Sequence, residues 1–109
     1  MTVQQLAQAL QLEVLCAGDT DKEVTGAYCG DLLSWVMGRA QSGDAWITVM
    51  GNVNAVAVAV LADVACVILA EDSPLDDAAK QRAEMQGVCI LRSPLNGYQL
   101  CVALSEQLK

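Results

Sequence analysis

The chain contains no histidine. The side chain whose ordinary pKa lies nearest neutrality is therefore missing, and with it the usual general base and the commonest metal ligand. Basic residues are scarce as well: six, against 13 acidic ones, for a formal charge of −7. Those six (Lys22, Arg39, Lys80, Arg82, Arg92 and Lys109) are scattered along the sequence. A nucleic-acid binder neutralises phosphates with a concentrated basic face, so nucleic acid is not an expected partner, and an anionic membrane is not one either. No apolar run is long enough to span a bilayer. The richest, residues 55–70, is interrupted by Asp63 and falls short of the ~20 residues required. The opening "MTVQQLAQAL" lacks the basic start and continuous apolar stretch of a secretory signal. A cytoplasmic protein is expected.

Closely spaced cysteines are also absent. The five lie at positions 16, 29, 66, 89 and 101, with no Cys-x-x-Cys. Zinc and iron–sulfur sites usually show close ligand pairs, so no metal and no cofactor is expected. Most of these cysteines fall inside apolar runs, where the residue behaves as a small buried hydrophobe.

What is present is a core. Apolar residues make up 54% of the 109, enough for one domain spanning residues 1–109 that buries roughly two-thirds of its unfolded surface. Thr2 with Gln5 reads as a capping box, and Val3, Leu6, Ala7 and Leu10 share one helical face. "LEVLCA" is a short strand and "GDTDK" a polar turn. "EVTGAYC" is a second strand, with Val24 and Thr25 as its β-formers. Asp31 fits a helix N-cap, and Leu32, Leu33, Val36, Met37 and Ala40 then form an apolar arc, which Trp35 falls outside. "AWITVM" is a strand with Trp46 directed to the core. "GNVNAVAVAVLAD" fits either period; the crossover that parallel neighbours need and Asn52 as cap favour a buried helix. "VACVILA" is apolar on both faces, as a central parallel strand must be. Ser73 and Pro74 suit the start of the next helix, Asp76 and Asp77 its dipole, and Gly87 its end. "VCILR" is the last strand. A second Ser-Pro-Leu at 93–95 opens a final helix striped by Leu100, Cys101, Leu104 and Leu108. This order predicts an α/β fold: a mostly parallel sheet of about five strands flanked by helices.

Asp21, Lys22, Val24, Thr25, Gly26 and Ala27, together with the order "DKEVTGAY…GDLLSWVM…GDAWITVM", resemble the DRTGG domain. Lys22 stands where the signature has Arg, and Ala27 where it has a second Gly. Lysine keeps the charge and loses the planar fork. The resemblance runs along nearly the whole chain. It implies a fold similar to the N-terminal domain of HPr kinase and a non-catalytic, regulatory or scaffolding role with homodimerisation. It also implies a link to anaerobic hydrogenase and electron-transfer systems.

Two kinds of candidate site follow. Ligands of parallel α/β sheets bind beyond the carboxyl ends of the strands, which nominates Gly26, Tyr28, Gly30 and Asp31. At the other strand-to-helix loops the nominees are Asn52, Ser73, Arg92 and Ser93, whose helix starts could hold an anion. Against this, the glycines can serve only the backbone, and an acidic cap occupies the place an anion would take. Glu71-Asp72 and Asp76-Asp77 suit helix starts better than a cation or acid–base site. Trp35, with Tyr28, is the candidate homodimer contact. No nucleophile–base pair is present, so catalytic residues are not assigned. A dimerising regulatory module is the leading reading. A small-molecule sensor for a nucleotide or other anionic metabolite is the alternative, and an unidentified protein partner is also compatible.

Overall fold

Short apolar strands alternate with helices in the computed structural model, which describes all of residues 1–109. In chain order the elements are α1 (Val3–Ala9), β1 (Glu13–Cys16), β2 (Gly26–Cys29), α2 (Leu33–Arg39), β3 (Asp44–Thr48), α3 (Val53–Ala62), β4 (Cys66–Leu69), α4 (Asp77–Gln86), β5 (Ile90–Arg92) and α5 (Gly97–Gln107). One sheet has the order β1-β5-β4-β3-β2. β2, β3, β4 and β5 run parallel, in register pairs such as Tyr28↔Trp46, Trp46↔Val67 and Val67↔Ile90. β1 closes one edge antiparallel to β5, with an irregularity between Val14 and Cys16.

Side chains of a strand alternate between faces, and here each face has its own core. Ala45, Ile47, Cys66, Ile68 and Leu91 pack under α1 and α5, against Val3, Leu6, Leu100 and Leu104. Trp46, Val67, Leu69 and Ile90 pack under α2, α3 and α4, against Val36, Val56, Ala59, Ala79 and Ala83. Crossovers of one hand between successive parallel strands produce this segregation. No helix is long and apolar enough to cross a membrane.

Local chemistry explains where the helices begin. Thr2 and Gln5 form the expected capping box on α1. The ambiguous alanine–valine segment is a helix, with the Asn52 side chain accepting from the Ala55 N–H at 2.9 Å. Gly87 ends α4 in the left-handed region, φ +69°.

Several boundaries differ from the sequence reading. Residues 23–25 are not part of β2; Glu23 instead makes an isolated bridge to Thr2. Asp31 does not cap α2, which starts from Leu32 with no side-chain cap, because the Asp31 carboxylate is engaged by the end of β3. Ser73 does not cap α4. Its hydroxyl donates to the Ala70 carbonyl, and Asp76 takes the cap by accepting from Ala79 N–H at 2.7 Å. The second Ser-Pro-Leu behaves alike: Ser93 accepts from Leu95 N–H, and Asn96 caps α5 in a box with Gln99. Both tripeptides form a turn whose true cap comes three residues after the serine. In α2 only Val36 is fully buried, while Leu32 and Met37 are about half exposed, at 58% and 49%. A helix of seven residues presents too few turns for the whole apolar arc to reach the sheet.

Core burial raises the thiol pKa values of Cys66 and Cys89, the latter to about 12 from 9.0. Both stay neutral in the folded chain, while the unfolded chain loses these protons near the ordinary value. Their contribution is thus intact below about pH 9 and declines above it, by about 1.4 kcal/mol per pH unit per thiol. Urea unfolding midpoints between about pH 8 and about pH 10.5 should fall with pH, and Cys66→Ala should make the decline shallower.

Candidate functional site

Where β2, β3 and β4 end, their last residues and the first turn of α5 surround a crevice of about 100 Å³. Cys29 and Asp31 line it from the end of β2; Ile47 and Thr48 from β3, with Val49 just after it; Ala70 and Glu71 from the loop after β4; and Gly97 from α5. The joint between β2 and α2 is pinned to β3 from several directions. Gly30 N–H donates to Ile47 O at 3.1 Å, and the buried Trp46 indole donates to Gly30 O at 2.9 Å. Asp31 Oδ1 accepts from the Thr48 hydroxyl at 2.8 Å and from Val49 N–H at 3.0 Å. Thr48, 1% exposed, in turn accepts from Met50 N–H.

The neighbouring loops brace one another. Glu71 and Asp72 are consecutive non-glycine residues with positive φ, +57° and +53°, a conformation costing roughly 1–2 kcal/mol per residue. They are held by Glu71 N–H to Leu95 O and Asp72 N–H to Ser93 O, both 2.9 Å. Gly51 lies so close to the next loop that a Cβ there would overlap the Pro74 carbonyl oxygen, and its own carbonyl accepts from Asp76 N–H. The edge is thus a rigid rim with two carboxylates, Asp31 and Glu71, at the crevice.

The sequence candidates fall in different places. Asp31 lines the crevice and Gly30 sits beside it. Gly26 is at the opposite, amino edge, opposite Asp44. Tyr28 lies on the α2–α4 face, packed against that core, with its ring next to Gly30. Asn52, Ser73 and Ser93 have their side-chain oxygens in the turns and caps described above. Arg92 is paired with Glu13 across the β1–β5 edge at 3.1 Å. No free cation is therefore brought to the crevice by these residues. Thr48 and Gly97 line it without having been singled out from the sequence. A polar residue ending an otherwise apolar buried strand was the available signal for Thr48; none marked Gly97.

The signature residues build a separate structure. Lys22 Nζ donates to Asp63 Oδ1 and to Val64 O, both at 3.3 Å. The hydrogen bonds of Ser42 and then of Lys22 hold the Asp63 carboxyl below its ordinary range. Thr25 N–H donates to Gly43 O. Gly43 has φ +88°, and the Thr25 hydroxyl fills the space a Cβ would need. These contacts tie the signature to the turns after α2 and α3, at the amino edge of the sheet. A point-charge ammonium serves the Lys22 contacts, and neither needs the planar fork of arginine.

A family model described as "DRTGG domain" matches residues 5–106. The chain belongs to the DRTGG domain family. Among solved structures, this DRTGG domain is similar to the CBS and DRTGG domains of the regulatory region of Clostridium perfringens pyrophosphatase, complexed with its activator diadenosine tetraphosphate. The TM-score is 0.71 at 11% identity, over 98% of this chain and 46% of that one. The likeness is one of fold, and this chain spans about half of that structure's length. No curated protein sequence matches it.

Asp31→Ala removes the acceptor for a buried hydroxyl and a backbone N–H, and should cost about 1–3 kcal/mol in urea unfolding. Asp31→Asn, which keeps a carbonyl oxygen there, should cost less.

Proposed function

We propose that this DRTGG domain is a non-catalytic regulatory module that associates with a second copy of itself through the α2 face. The observation carrying this reading is the set of large apolar side chains left exposed on two packed helices. Leu32, Trp35 and Met37 are exposed on and beside α2, and Val60 and Leu61 on α3, with Leu61 at 70%. Large apolar residues grouped on a surface mark interaction sites, and aromatic residues with arginine are enriched in them. Trp35 carries the Arg39 guanidinium 3.8 Å above its ring, and Tyr28 lies on the same side of the sheet. The absence of histidine and of any nucleophile–base pair supports a non-catalytic role. The link to hydrogenase and electron-transfer systems is a finer part of this proposal and rests on the family resemblance. Light scattering at micromolar concentration should give the mass of a dimer, and Trp35→Ser should shift it to monomer. A wild-type monomer under these conditions overturns the pairing.

The crevice motivates a second reading, a sensor for a nucleotide or another anionic metabolite. Its position beyond the strand ends is where such sheets take ligands, and its rim is held rigid before any ligand arrives. Asp31 and Glu71 weigh against a phosphate seated inside, so a nucleotide would enter by its base or sugar. In a thermal-shift panel of nucleotides, a ligand at ~100-fold its Kd should add roughly 2.7 kcal/mol of stability. A panel with no shift removes this reading and leaves the pairing proposal standing.

A further inference from the structure

Three of the five cysteines are buried; Cys29 is exposed and Cys101 half-buried. The fold brings these last two together. Cys29 ends β2 in register with Ile47, which belongs to the core beneath α1 and α5. α5 approaches that end of the strand closely, and Cys29 Sγ lies 3.4 Å from where a Gly97 Cβ would stand. Cys101 is one turn further along α5, on the face it shares with Gly97, which places it beside the end of β2 where Cys29 lies. Burial, then Cys101 and Asp31, push the Cys29 thiol up to about 11, so at neutral pH this thiol stays protonated. Cys29 also lines the carboxyl-edge crevice. β2 is an edge strand with β3 as its one neighbour.

We propose that Cys29 and Cys101 are a redox-active dithiol that closes an intrachain disulfide between β2 and α5 at the mouth of the crevice. The co-reactant is a low-molecular-weight disulfide. Cys29, the exposed partner, attacks it as thiolate; a mixed disulfide forms and one small thiolate leaves. The Cys101 thiolate then attacks the Cys29 sulfur, the mixed bond breaks, and the second small thiolate leaves. Two electrons pass from the cysteine pair to the small disulfide, and the two thiol protons end on two small thiols. The buried Cys16, Cys66 and Cys89 stay out of the exchange, because access as well as thiolate character governs reactivity. The bond ties a free edge strand to the helix above it and removes an S–H from the crevice wall. The redox state would thereby reach the crevice whether or not the chain pairs with a second copy.

The test is incubation of the full chain with oxidised glutathione at mildly alkaline pH, followed by non-reducing peptide mapping by mass spectrometry. The expected product is a Cys29–Cys101 linked peptide from the monomeric chain, lost on reduction with dithiothreitol. Cys101→Ala, with its fold checked by circular dichroism, should instead accumulate glutathione on Cys29. A wild-type chain that keeps both thiols free, retains glutathione on Cys29, or links Cys29 to a different cysteine overturns the proposal. The wild-type map decides the matter even if the variant fails to fold.

Discussion

Two neighbouring strands, β3 and β4, are buried along their whole length, and the rest of the molecule answers that constraint. Their side chains point alternately up and down, so both sides of the sheet need a helical cover. Trp46 demands one layer, and Ile47 and Ile68 the other. Three crossovers of one hand supply α2, α3 and α4 on one side, which leaves α1 and α5, the helices at either end of the chain, for the other. Because the parallel strands all end at the same edge, the loops that start α2, α3, α4 and α5 converge there. The crevice is a consequence of this arrangement.

Those converging loops have little freedom. Trp46 holds Gly30, Thr48 and Val49 hold Asp31, and backbone bonds to Leu95 and Ser93 hold a pair of residues in the left-handed region. Strain of this kind persists only where the surroundings over-determine it. The family signature occupies the other edge, where Lys22, Thr25, Gly43 and Asp63 lock turns together. In this DRTGG domain the signature therefore acts as a clasp, and the crevice lies at the opposite edge of the sheet. The replacement of arginine by Lys22 is compatible with that role, since both its acceptors are single oxygen atoms.

Much of the fold was legible because it is encoded in short-range pattern. The α1 capping box, the Asn52 cap, the Gly87 terminus and the double-sided apolar strand over "VACVILA" each depend on a few adjacent residues. Errors came where a local rule met a distant competitor. Asp31 has the composition of an N-cap, yet a strand well downstream takes its carboxylate. Ser-Pro-Leu has the composition of a helix start, yet its serine closes a turn and the cap follows three residues later. Leu32 and Met37 obey helical periodicity, yet a two-turn helix cannot bury both. In the site the same division holds. Asp31 was nominated and does line the crevice, although in a different role, whereas Arg92, nominated for its charge, is held by Glu13 from β1.

By itself the sequence determined the alternation of elements, the buried strands, the lack of histidine and scarcity of basic residues, and the membership of the DRTGG family. The first three follow from composition and near-neighbour spacing, and the family from the likeness of the chain to its signature and model. The tertiary structure alone decided which polar groups remain free and which thiols meet. Both depend on contacts between segments far apart in the chain, such as Asp31 with Thr48, Arg92 with Glu13 and Cys29 with α5. Such pairings are set by strand order and helix placement, and residue spacing along one chain carries no direct record of them.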